Sequence, residues 1–290
     1  MKGRITKWVA LVCACAVMMQ QAPVDVRAQG LEEGGTATTG TQAEEAWPAS
    51  EMEREPEIIG EDISGRGENR KVFVLSDGSY MAAVYDEAIH YRDETGEWSE
   101  VDSRLEVTEQ TRGLSEDEQE SGTKAGRVKI KLSNKLKAGK TVTYQDGGTT
   151  IRWGLEEAEK VRGVDEEQAA PESGDGRYLE LQNVRSRRTY REAYAGVDVE
   201  YIVSSDTVKE NLILKNAQAR RRFTALYDIG SLRAKQEDER TIGLYAGESE
   251  EASYILSAPV MTDANGETSG GVCLRILSEE TGSLRVELTA

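Results

Sequence analysis

Val197-Asp198-Val199-Glu200-Tyr201-Ile202-Val203, then Ser204-Ser205-Asp206, then Val208-Lys209-Glu210-Asn211-Leu212-Ile213-Leu214, is the stretch that decides the fold. Its period is two. Val197, Val199, Tyr201 and Val203 point one way, and Asp198 and Glu200 point the other, the alternation of an extended segment with one face buried. The Ser-Ser-Asp link is a turn signal, so the pair reads as a hairpin.

Working outward, the same pattern recurs. Lys71–Ser76 meets Ser79–Tyr85 across Asp77-Gly78, a strong two-residue hairpin signal. Ala88–Tyr91 and Glu97–Val101 flank Asp93-Glu94-Thr95-Gly96, and Thr141–Tyr144 and Thr150–Trp153 flank Asp146-Gly147-Gly148. Further runs lie at 222–228, 241–246, 252–257, 272–277 and 284–289. There is no long amphipathic helix and no alternation of strands with helices. The expected fold is all-β: antiparallel β-sandwich-like modules with a disordered N-terminal linker and charged loops.

The organisation expected is a signal peptide over 1–28, a disordered linker over 29–57, a first β subdomain over 58–154, a charged linker or short helix over 155–176, and a second β subdomain over 177–290, truncated at its C-terminal end. The leader is read from Lys2, Arg4 and Lys7, the apolar run Trp8–Met19 and Val26-Arg27-Ala28, with cleavage after Ala28. The apolar run is too short for a stable membrane span. Cys13 and Cys15 lie early within it, behind a poor lipobox, which argues against lipidation. The linker is rich in Gly, Thr, Ala and Glu and carries too little apolar surface to offset ordering entropy. Residues 106–126 form another charged stretch. The helix signal is confined to Leu155–Val161, and Pro171, Gly174 and Gly176 end any order there.

The chain has 36 basic and 53 acidic residues, a net charge of −17. This balance speaks against a nucleic-acid partner, whose affinity rests on phosphate neutralisation. Two of the three cysteines lie in the leader, which leaves Cys273 alone and no intrachain disulfide in the exported part.

No catalytic set stands out. His90, the single histidine, could serve as base beside Cys273, but Cys273 lies on a plain strand without a nucleophile turn. The many carboxylates make an acid pair for glycoside hydrolysis uninformative. Asp263-Ala264-Asn265-Gly266-Glu267 echoes half a calcium loop but reads better as a turn, and Gly147-Gly148 lacks the lysine of a phosphate loop. Arg185, Arg187, Arg188 and Arg220-Arg221-Arg222 are basic spots, read as partners of the acidic stretches or as contacts to an anionic wall polymer. No metal site and no cofactor is expected. Trp98, Trp153 and Tyr91 are the candidate glycan-contact residues, with a core position the more frequent explanation for a strand tryptophan.

Three stretches resemble a known family. They are Ile89-His90-Tyr91-Arg92-Asp93-Glu94-Thr95-Gly96-Glu97-Trp98 with Asp102 and Leu105 beyond, then Gly196–Val203 with Val208–Leu214, then Ala258-Pro259-Val260-Met261-Thr262-Asp263-Ala264-Asn265-Gly266-Glu267. In this order they are similar to the N-terminal region of secreted, wall-associated RHS/YD-repeat proteins of Gram-positive bacteria, of polymorphic-toxin type. The resemblance implies a non-enzymatic export and presentation module, secreted or cell-wall associated. Its partners would be a downstream repeat region of the same protein and cell-wall polymers, with no nucleic acid and no stable membrane span. A carbohydrate- or wall-binding module built on Trp and Tyr is the alternative expectation.

Overall fold

The computed structural model describes residues 11–15, 56–166, 181 and 183–290. In chain order the strands are Leu11–Cys15 (β1), Ile58–Glu61 (β2), Arg70–Leu75 (β3), Tyr80–Val84 (β4), His90–Arg92 (β5), Trp98–Glu100 (β6), Asp102–Val107 (β7), Glu120–Ala125 (β8), Lys129–Ser133 (β9), Val142–Asp146 (β10), Thr149–Leu155 (β11) and Gly163–Asp165 (β12). They continue as Ser186–Tyr194 (β13), Val197–Val203 (β14), Val208–Leu214 (β15), Arg222–Asp228 (β16), Arg233–Gln236 (β17), Ile242–Tyr245 (β18), Tyr254–Leu256 (β19), Val260–Thr262 (β20), Thr268–Ser269 (β21), Cys273–Glu280 (β22) and Ser283–Thr289 (β23). A 3-10 turn at Ile63–Gly65 is the one helical element among the described residues. The all-β expectation holds.

The opening hairpin forms as read. β14 and β15 pair antiparallel from Val197↔Leu214 to Val203↔Val208. They lie inside a seven-stranded sheet ordered β12-β13-β14-β15-β1-β20-β21. An eight-stranded sheet ordered β22-β23-β16-β11-β10-β9-β8-β7 supplies the other half of the core. Inward side chains of both, among them Ile130, Leu132, Tyr144 and Trp153 from one and Val199, Tyr201, Leu212 and Leu214 from the other, share one apolar cluster. Tyrosine fills much of it, and the rings meet edge to face, as Tyr190 on Tyr201 and Tyr194 on Phe223 do. Three smaller sheets, β17-β18-β19, β2-β3-β4 and β5-β6, complete the fold.

Local chemistry explains the turns. Gly78 takes a φ of 83° between β3 and β4, a conformation open to glycine, and Asp77 Oδ1 accepts from the Ser79 backbone N–H. Gly154 lies in mid-strand because a Cβ there would come within 2.2 Å of the Lys137 carbonyl oxygen.

Two expectations need correction. Strands from both sides of the expected 155–176 boundary share the eight-stranded sheet and the apolar cluster, so that boundary does not separate two cores. Of the two alternatives for 155–176, a charged linker or a short helix, the helix does not form at Leu155–Val161. Leu155 ends β11, Glu157 turns at φ 57°, and the Glu159 N–H donates to the Ala193 carbonyl instead of closing a helical turn. The charged stretch 106–126 is partly strand, ending in β8, which pairs with β7 and β9. Of the expected leader only Leu11–Cys15 is described, paired with β15 and β20. Ala28, and the linker up to residue 55, lie outside the described residues.

Candidate functional site

The residues that gather chemistry lie on the β5–β6 hairpin and the two turns facing it. The hairpin loop is closed by Asp93. Its Oδ1 accepts from the Thr95 and Glu97 backbone N–H groups and the Thr95 hydroxyl, and its Oδ2 accepts from the Ser99 hydroxyl. The Thr95 and Ser99 hydroxyls, followed by the backbone donors, hold its carboxyl down to about 2. The closed loop sets Arg92 opposite Trp98. The Arg92 guanidinium carbon stands 3.8 Å from the centre of the indole ring, and its Nη1 donates to the Gly96 carbonyl at 2.7 Å.

His90, two residues back on the same strand, is 1% exposed. Its Nδ1 lies 2.7 Å from the Gly67 carbonyl oxygen. A carbonyl only accepts, so the proton resides on Nδ1. Burial pushes the imidazole below its ordinary value, which keeps it uncharged at neutral pH. Nε2 is therefore left with a lone pair, and it is buried without a hydrogen-bond partner.

A cavity of about 220 Å³ opens here, lined by Glu68, Ala88, His90, Tyr91, Arg92, Trp98 and Val101 on the hairpin side and by Arg127, Ser205 and Asp206 from the facing turns. Arg127 comes from the β8–β9 turn and pairs with Asp146 at the end of β10. Asp206 comes from the β14–β15 turn, whose placement is fixed by Tyr144, donating its hydroxyl to the Asp206 carbonyl at 2.9 Å. Burial pushes the Asp206 carboxyl up, with Arg127 opposing. The lining of the cavity thus brings together acidic side chains, two arginines and an indole.

Of the candidate glycan-contact residues, Tyr91 and Trp98 line this cavity. Trp153 does not. It is fully buried, stacked on Tyr227 with ring centres 5.8 Å apart, and presents no face to a ligand. Trp98 is no open sugar platform either, because Arg92 covers one face of its ring. His90 and Cys273 lie in different sheets, the latter on an edge strand. Asp263 is engaged by the Asn265 and Glu267 backbone N–H groups of its own turn.

Five of the six arginines of the basic spots are paired with acids: Arg185 with Glu87, Arg187 with Glu166, Arg188 with Asp165, Arg220 with Glu157 and Arg222 with Glu287. Arg127 and Asp206 escaped the sequence reading because each is an ordinary turn residue. A second feature also escaped it. Glu210, on an otherwise apolar strand face, is buried in the core, where the Tyr201 hydroxyl and the Trp153 Nε1 are the donors that meet its carboxyl.

No family model matches the chain, and no solved structure matches it. Curated relatives do. The tRNA nuclease WapA of Bacillus subtilis strain 168 is 24% identical over 276 residues, covering 92% of this chain and 11% of the relative. The tRNA3(Ser)-specific nuclease WapA of Bacillus spizizenii is 23% identical over 280 residues, and the tRNA(Glu)-specific nuclease WapA of Bacillus subtilis subsp. natto is 23% identical over 276 residues. The chain spans about a tenth of the length of these relatives, 11% in each case.

These findings correct the sequence reading. The relatives are named as tRNA nucleases and not as RHS/YD-repeat presentation regions, which overturns the expected kinship. The expectation of a non-enzymatic export module falls with it. The substrate printed in the relatives' names, tRNA, conflicts with the expectation of no nucleic-acid partner. Among the described residues, no helix is long and apolar enough to cross a membrane.

Proposed function

We propose that this chain acts on tRNA as part of a nuclease of the wall-associated kind, working outside the cytoplasm. One observation carries the reading: relatives named for tRNA cleavage align with 92% of the chain. The cavity beside His90 supports it as the place where RNA is engaged. RNA-reading sites stack unpaired bases on aromatic rings and guanidinium planes and bond their edges. Trp98 with Arg92 over it, and the Asp206 carboxyl beside them, are groups of that type. The acidic balance leaves little affinity to come from phosphates, so base contacts dominate. The basic, apolar and small-residue pattern of residues 1–28 supports export.

The full chain, shown to be folded by circular dichroism, is incubated with bulk tRNA with and without divalent metal and run on a denaturing gel. Discrete tRNA fragments are expected. tRNA that stays intact under both conditions overturns the proposal.

A further inference from the structure

The cavity beside His90 is built as a ligand site. His90 lines the cavity while its Nε2 stays enclosed, so Asp206 supplies the acceptor at the slot. Its volume of about 220 Å³ lies below the usual range of roughly 300–1,000 Å³ for drug-sized sites, so a single ring system fits and an oligosaccharide does not. Ala88, Val101 and Trp98 give it apolar walls suited to a flat ligand. Asp206 adds a carboxylate from the turn facing the hairpin, and Glu68 lines the cavity from alongside β5, where its carbonyl accepts from the Ile89 and His90 N–H groups. The site therefore presents acceptors around an apolar slot, and its ligand must be flat and carry adjacent donors. Arg127 does not reverse this, because Asp146 already engages it.

Among the nucleobases, guanine carries adjacent donors, N1–H and the N2 amine, on one edge. A carboxylate accepts such a pair in parallel, the geometry of the strong two-bond pairings. Adenine offers one amine beside an acceptor nitrogen, and uracil one N–H between two carbonyls. We propose that the cavity is a subsite for one unstacked guanine, held by Asp206 at its donor edge and by Trp98 with its Arg92 cover. This deepens the tRNA reading and rests on it.

Equilibrium dialysis of the full chain against guanosine, adenosine, uridine and an N-acetylglucosamine disaccharide tests the subsite, with bulk tRNA cleavage followed in parallel. Guanosine is expected to bind about tenfold or more tightly than the other nucleosides. Asp206→Asn, which replaces one acceptor oxygen by a donor amine, is expected to lose that preference with an unchanged thermal midpoint. Arg92→Ala is expected to weaken guanosine several-fold. Equal affinity for all nucleosides, unchanged guanosine binding in both variants, or binding of the disaccharide alone overturns the subsite. tRNA fragments without guanosine binding overturn the subsite and leave the nuclease reading standing. Guanosine selectivity with intact tRNA does the reverse.

Discussion

Glu210 is a carboxyl group placed where the sandwich has no cation to meet it. Burial raises it from 4.5 to about 7, and only Tyr201 and Trp153 favour the charged form. The folded chain thus holds a proton that the unfolded chain releases. The stability tied to that proton is fully present below pH 4.5 and is lost as pH rises through about 7. The loss approaches about 3 kcal/mol at pH 8. Wild-type urea midpoints should fall between pH 5 and 8, and Glu210→Gln should flatten that slope; equal slopes would dismiss the argument. Arg188 shows the opposite solution to burial. Its donors go to Asp165 twice, and to the Leu132 carbonyl, Asn134 and Ser121 once each. A run of arginines in the sequence gave no sign of which member would be enclosed, because that depends on β12 lying alongside β13.

At the scale of elements, the β5–β6 hairpin depends on Asp93. Its carboxyl is held down to about 2, so its contribution is present above its ordinary value of 3.8 and is lost as pH falls through about 2. Asp93→Ala should free the Arg92–Trp98 pair at neutral pH, seen as a weakened near-ultraviolet circular dichroism band and reduced guanosine binding. Wild-type chain should keep that band down to about pH 3. A variant spectrum that matches wild type at neutral pH would refute the role. The hairpins were legible because turn chemistry is local: Asp77-Gly78, Asp93–Gly96 and Asp146-Gly147 state their geometry in two to four residues. Leu155–Val161 misled for the same reason, since Glu, Ala and Lys favour helix locally while pairing with β13 and its neighbours decides the outcome. The cavity was half legible. Tyr91 and Trp98 announced themselves as strand aromatics, whereas Arg127 and Asp206 reach it only through tertiary assembly.

For the whole molecule, one core joins strands far apart in sequence. β11 pairs with β16, Trp153↔Tyr227, and β16 pairs with β23, Arg222↔Thr289. Such long-range pairing is slow to form. β23 is interior, between β22 and β16, and buries Leu284, Val286 and Leu288. Deleting residues 283–290 should leave a chain without a cooperative unfolding transition by circular dichroism. A sharp transition in that truncation would show that the sheet closes without β23. Because β23 pairs with β22 on one side and β16 on the other, the backbone edges of both strands stay unsatisfied until residues 283–289 dock between them, and until then they are open to pairing with another chain.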